Sequence, residues 1–391
     1  MFSIIFLFTI IVFLIFILLK LINFRKNYII FFLITLFIII FIINIETSLD
    51  AVVDGLSLCL NSIIPTMFPF SVICNLLIYY DGIAIYSKFL GPIFCKPLGL
   101  TKTCSFPIAA SLICGYPLGA KYCSDIYELG YINKNEYIRL LNIASNCGPI
   151  FILGVIGGSL LNNIKIGYLL LIANYLSIFI IGLLTRNNSI KSPSRAIQIK
   201  KSPDSFGDNL KKSVENAIST TLLVTGFIVI FTIIISIIKE NNTISIILFN
   251  IENFLYIPNG ALSSLFLGCI EITNGCKLIT TYTFSIPLKL GLISFLCSFS
   301  GLSIIAQASA FISGHSVSLK KYTFFKLIQG IISFIITYSV AYFYRGSIEA
   351  FSSNLKVDTS PNIALFFLPG IIMLFVYFFM YIFKKLFFHT S

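Results

Sequence analysis

The stretch "SLICGYPLGAKYCSD", Ser111–Asp125, sets Gly115, Pro117, Gly119 and Lys121 in the middle of a chain otherwise rich in Ile, Leu and Phe. Pro117 forbids a continuous helix, and Gly115 and Gly119 permit a sharp turn. Irregular backbone survives at membrane depth only where protein or a water-filled cavity satisfies its polar groups. The stretch therefore reads as the tip of a re-entrant hairpin, residues 103–121. The half-helix that follows it offers free N–H groups and a positive dipole end, which suit an anion.

The surroundings justify a membrane reading. Of 391 residues, 57% are hydrophobic and 11% are charged. Uncharged apolar runs of about 18 residues or more read as membrane-spanning helices, and Phe2–Leu19, Tyr28–Ile45, Ile166–Thr185 and Asn362–Phe383 are such runs. The net charge is +12, yet the basic residues gather in short loops between apolar runs. There they set orientation, and nucleic acid is not an expected partner. The first run lacks a basic leader and a small-residue cleavage site, so a removed signal peptide is not expected. Ten cysteines form no C-x-x-C pair, and only His315 and His389 are histidines, which argues against a metal or redox centre. With no P-loop, H-E-x-x-H or G-x-S-x-G motif, an enzyme is not expected either.

A second half echoes the first. One constant offset lays Gly119 and Lys121 of "GAK" on Gly275 and Lys277 of "GCK", and lays the Pro65–Tyr80 helix on Thr221–Ser236. The interruption "SNCGP" (Ser145–Pro149) finds a counterpart in "FSGLS" (Phe299–Ser303), a few residues out of step. An amphipathic pattern precedes each half, at Asp50, Asp54, Ser57 and Asn61 and again at Asp208, Lys212, Glu215 and Ser219. The first of these, Glu46–Ser62, reads as a helix lying in the membrane interface. Placing the basic loops (Arg25–Lys26, 81–102, 186–212, Lys320–Lys326, Lys384–Lys385) in the cytosol makes the 63–80 helix run inward and its partner at 217–238 run outward. The expected fold is an all-α polytopic membrane protein of two inverted repeats, each with a re-entrant helical hairpin and an interrupted transmembrane helix. That pattern points to a transporter with its site near the bilayer midplane.

The expected organisation is two N-terminal helices in 1–45, then a first repeat in 46–186 with hairpin 103–121 and broken helix 137–163. A basic cytosolic linker, 187–212, leads to a second repeat in 213–345 with hairpin 261–281 and broken helix 287–313. A C-terminal helix and tail fill 346–391. The candidate substrate-binding residues are Gly115, Tyr116, Pro117, Gly119 and Lys121 at the first tip and Ser145, Asn146 and Gly148 at the first break. Asn274, Gly275 and Lys277 stand at the second tip, and Ser300, Ser303 and Gln307 at the second break. Lys121 and Lys277 are placed to meet carboxylates from two sides. Glu271 is an intramembrane carboxylate, costly to bury and so usually functional. It is the candidate for a coupling proton or sodium ion, or for neutralising Lys277. Glu136 and Arg139 are placed to form an i,i+3 ion pair.

At "IPTMFPF" (Ile64–Phe70), "CGYPLGAK" (Cys114–Lys121), "ASNCGP" (Ala144–Pro149), "EITNG" (Glu271–Gly275) and "FSGLSIIAQ" (Phe299–Gln307) the chain resembles the YlbJ (SpoVV) family of sporulation integral membrane proteins. That family falls in the nucleoside-recognition gate class, which is similar to concentrative nucleoside transporters. The resemblance implies a multi-pass protein of the outer forespore membrane that moves dipicolinic acid from mother cell toward forespore. It also implies substrate held between the hairpin tips and the unwound helices, and no cofactor. The implied partners are a small anionic substrate and the lipid bilayer, with homo-oligomerisation left open. A structural or assembly protein of the spore envelope, and a gate-class transporter of a nucleoside or metal cation, are the alternatives.

Overall fold

In a lipid setting every backbone polar group must be satisfied internally, which leaves helices as the economical solution. The computed structural model accordingly consists of helices and turns, with no strand among the described residues. It describes residues 26–186 and 205–344, apart from 241 and 316. The predicted helices at 2–19 and 362–383 and most of the 187–212 linker lie outside the described residues.

Four described helices are long and apolar enough to cross a membrane, or up to six if each of two sharply bent pairs counts as one span. The first bent pair joins α1 (Lys26–Ile43) to α2 (Ile45–Leu58) at 98°. Through a π-helical stretch, Cys59–Ile63, the chain then continues into α3 (Ile64–Tyr79), which bends by 91° into α4 (Gly82–Phe89). The face that α2 buries is Ser48, Ala51 and Gly55, whereas Leu49, Val53 and Leu56 are exposed beside the exposed Asp50 and Asp54. Small residues, not the apolar ones, thus form the buried face of the Glu46–Ser62 segment. Small residues mediate close helix contact in lipid, where apolar side chains gain nothing by leaving the surface.

The contact is with α9 (Phe206–Glu240), a single helix of 35 residues, as long as the whole run from Ile45 to Tyr79. A Cβ on Gly55 would lie 3.2 Å from Val229 Cα, while Asn75 Nδ2 donates to the Ser213 carbonyl at 3.3 Å and Asn209 Nδ2 to Tyr80 Oη at 3.4 Å. Numbers rise on one partner as they fall on the other, so the two helices are antiparallel. The leading helices of the halves run in opposite senses, as inverted repeats require.

Each half then builds the same sequence of parts. The first has a hairpin of α5 (Ser105–Cys114) and α6 (Leu118–Glu128), then α7 (Lys134–Ile143), a break at 144–149, a π-helical stretch (Ile150–Leu160) and α8 (Ile164–Leu184). In the second, α10 (Asn242–Phe254) leads to a hairpin of α11 (Ala261–Ile270) and α12 (Ile272–Thr281). There follow α13 (Ile286–Phe299), a break at Ser300, α14 (Gly301–Ile312) and α15 (Leu319–Phe343). The halves cross over each other: α6 packs against α14, and α12 against the π-helical stretch that follows the first break.

Candidate functional site

Glycine brings the first tip onto the first break. Gly115 has φ +80°, and a Cβ there would lie 2.5 Å from Gly148 N; one on Gly119 would lie 1.9 Å from the Ala144 carbonyl oxygen. Through that close approach Tyr116 N donates to the Asn146 carbonyl at 2.6 Å. Asn146 in turn donates from Nδ2 to Ile143 O (2.5 Å) and Ser111 Oγ (3.0 Å). From α15, Tyr322 Oη meets Ser145 Oγ at 2.6 Å, Gln329 Nε2 donates to Asn146 Oδ1 at 3.4 Å, and Lys326 Nζ donates to the Ser145 carbonyl.

The second tip is a single residue. Glu271 takes extended backbone between α11 and α12, and its carboxylate accepts from Thr273 N (2.8 Å), Asn274 N (3.0 Å) and Asn274 Nδ2 (3.0 Å). It caps the very helix whose dipole an anion would seek. Gly268 and Gly275 let the arms of this hairpin touch, since a Cβ on Gly275 would lie 2.2 Å from Gly268 Cα. At the second break Ser300 and Gly301 both have positive φ, +79° and +77°. Ser300 Oγ and Gln307 Oε1 are buried with no protein partner.

Both tips and both broken helices, the second through α14 just past its break, converge on one cavity of about 140 Å³. Of the residues singled out from the sequence, Tyr116, Pro117, Gly148, Glu271, Ser303 and Gln307 line it. Its other polar contributions come from Thr66 and Thr273, and Tyr116 Oη is buried without a protein partner. Most of the remaining wall is apolar, including Met67 and Phe70 of the "IPTMFPF" stretch. Such a wall with few polar points suits a small, partly apolar ligand whose orientation those points fix.

The remaining sequence candidates stand behind this wall. Gly115, Gly119, Ser145 and Asn146 build the tip-to-break contact just described. Lys121 is buried and ion-paired with Asp125 at 2.7 Å, and donates to Asn75 Oδ1 at 3.3 Å. Asn274 Oδ1 accepts from Lys239 Nζ at 2.7 Å, and Lys277 is exposed. Gly275 serves its own hairpin, and Ser300 sits buried at the bend. Glu136 and Arg139 both turn to the 98–101 backbone: Arg139 donates to Leu98 O (2.7 Å) and Gly99 O (3.1 Å), and Glu136 accepts from Thr101 N (2.5 Å).

Two participants escaped the sequence reading. Lys326, grouped there with a cytosolic basic loop, is 1% exposed. The spacing of Lys326, Gln329, Ser333 and Thr337, all buried, is a polar stripe at helical period and was the available signal. Glu252 on α10 is also 1% exposed and caps α11, accepting from Gly260 N (2.8 Å), Leu262 N (2.7 Å) and Ser263 N (3.1 Å). Among the described residues no group of three or more His, Cys, Asp or Glu side chains is arranged to hold a metal.

Inverted repeats, paired hairpins and two broken helices around a common cavity describe an integral, multi-pass helical membrane protein. Residues 60–160, from the start of the first repeat through its break, match the family described as Gate, nucleoside recognition. The chain is similar to the sporulation integral membrane protein YlbJ of Bacillus subtilis (strain 168), with 27% identity over 311 residues that cover 73% of this chain and 76% of that protein. The resemblance drawn from the motifs is thus borne out. Among solved structures, an outward-facing CNTnw variant aligns over 73% of this chain and 75% of its own at 16% identity and a TM-score of 0.40.

Proposed function

We propose that the protein transports a small organic anion across a sporulation membrane, dipicolinic acid or a similar compact dicarboxylate being the cargo. The direction is from mother cell toward forespore, across the outer forespore membrane. The observation that carries this reading is the convergence of both hairpin tips and both broken helices on one cavity. A scaffold has no use for four interrupted elements meeting at a point, because each interruption costs helical hydrogen bonds.

The anionic character of the cargo rests on what faces the cavity. Pro117 lies on the wall immediately before α6, so the positive end of that helix is turned toward the cavity. Tyr116 Oη is an available donor there. Gln307 donates from Nε2 to Ser303 Oγ at 3.3 Å; if its amide is turned over, the NH₂ group faces the free side instead. An aromatic acid matches the apolar wall with its ring and these donors with its carboxylates. Glu271 carries the coupling proton or ion, because it is the carboxylate on the wall.

The test is uptake of labelled dipicolinate by proteoliposomes under an imposed proton or sodium gradient. Saturable uptake is expected, reduced at least tenfold by Gln307→Ala and by Tyr116→Phe. Folded protein that takes up nothing under either gradient would overturn the transport reading for this cargo. Uptake indifferent to both substitutions would move the site away from this cavity.

A further inference from the structure

Lys326 lies on α15 among apolar residues and is one of the largest fully buried side chains in the protein. Its Nζ donates to the Ser145 carbonyl and to Gln329 Oε1 at 2.8 Å, and lies 6.0 Å from the centre of the Tyr322 ring. Among the described residues no Asp or Glu pairs with it. A lysine buried against a carbonyl, an amide and an aromatic ring is held by the same kinds of ligand that hold a free cation. Where transmembrane helices are interrupted, unwound carbonyls are the groups that coordinate coupling ions.

We infer that Lys326 is a tethered cation: its ammonium takes the place at the first helix break that a free ion would otherwise fill, and so makes that break the fixed half of the site. The carbonyls around it support this. Ile143 O accepts from Asn146 Nδ2, Ser145 O from Lys326, and Asn146 O from Tyr116 N. These three carbonyls are thus each engaged by a donor of the protein, and a second cation beside a protonated Lys326 would meet strong like-charge repulsion in a dry interior. The second half is different. There α8 supplies the neutral Asn174, whose Nδ2 donates to Ser298 Oγ at 3.0 Å just before the break, while its Oδ1 has no protein partner. Any exchangeable cation therefore belongs to the second break. Lys326 is a positioning residue for the first, whatever the cargo.

The experiment compares thermal unfolding of the purified full-length protein and of Lys326→Met, in choline chloride and after replacing choline by sodium or ethylammonium at constant ionic strength. In choline, Lys326→Met should melt about 5 °C or more below the unsubstituted protein. Sodium or ethylammonium should then recover a saturable part of that loss, by more than either shifts the unsubstituted protein. A variant that melts unchanged in choline, or one whose loss neither cation moves, overturns the inference. If Lys326→Met yields no folded protein, Lys326→Arg and Lys326→Gln decide. Arginine melting well above glutamine upholds the need for a cation, and equal behaviour of the two overturns it.

Discussion

The two helix breaks are made of the same parts and completed differently. At the first, neighbouring side chains and the tip backbone meet the unwound segment: Lys326, Tyr322 and Gln329 from α15, Asn146 from within, and Tyr116 N from the hairpin. At the second, Ser300 Oγ and Gln307 Oε1 are buried without a protein partner, as is Asn174 Oδ1 on the supporting helix. An unpaired buried polar atom costs about 1–3 kcal/mol, so these atoms make the second break the place where a ligand or ion gains most by arriving. The hairpins diverge in the opposite sense. Glu271 caps α12 from its own side chain, while α6 starts at Pro117 on the cavity wall. An inverted duplication has kept its scaffold twice and specialised its polar chemistry at each element separately, with a rigid first break against a receptive second one.

The shared scaffold is where the largest effects should fall. Gly119→Ala would drive a methyl to 1.9 Å from the Ala144 carbonyl, and Gly275→Ala would drive one to 2.2 Å from Gly268 Cα. In both cases the obstacle is backbone, so both should abolish recovery of folded protein in size-exclusion chromatography. Gly226→Ala, with nothing within 4 Å of the added carbon, should behave as the unsubstituted protein. If one hairpin glycine tolerated alanine and the other did not, the halves would differ in scaffold as well as chemistry.

Next comes the ion pair that holds the first hairpin. Lys121→Ala leaves Asp125 facing a mostly buried site and removes the tie to Asn75 on α3. Because the Asp125 side chain is 28% exposed, the loss should be about 2–3 kcal/mol, below the range for a fully buried pair. Removing both partners should cost less than removing Lys121 alone, a sign of coupling that a double-mutant cycle reads directly. A Lys121→Ala protein of full stability that had lost uptake would show instead that Lys121 acts on the ligand and not only in holding the hairpin.

Smaller again is Glu271→Ala, which uncaps α12 and should cost about 1 kcal/mol in thermal unfolding. Glu271→Gln should cost less, since one oxygen still accepts from Thr273 N or Asn274 N. If Glu271 also carries the coupling ion, Glu271→Gln should lose gradient-driven uptake while staying folded, separating the capping role from the coupling role.

The architecture was legible in the sequence because membrane chemistry writes in long strokes. Apolar runs fix helices, and glycine, proline and lysine inside such runs mark the tips and breaks. Which side chains face the cavity was less legible. Lys121 reads as a ligand lysine until Asp125, one helical turn on, is seen to meet it, and Lys277 points outward on α12. Lys326 was hidden by its neighbours: Lys320 and Lys321 are exposed a few residues earlier, and the run looks like a single basic loop. Only packing of α15 against the first break separates the third lysine from the other two. Glu252 and the 98–101 turn held by Glu136 and Arg139 are likewise long-range contacts that local spacing does not encode.

The least disruptive substitution is the most informative. Gln307 is 1% exposed, with its only hydrogen bond a long one to Ser303 Oγ and its Oε1 unmet. Gln307→Ala removes both that weak bond and the cost of the unmet oxygen, so the two terms oppose each other. The net change in stability should lie within about 0.5–1 kcal/mol, little more than substitutions away from such features produce. A residue of full burial and negligible stability value is held in place for something other than folding. Loss of uptake in a Gln307→Ala protein that melts normally would identify that purpose as ligand contact. A large destabilisation with uptake retained would show instead that the second break, like the first, is satisfied from within, and the distinction between a rigid and a receptive break would fall.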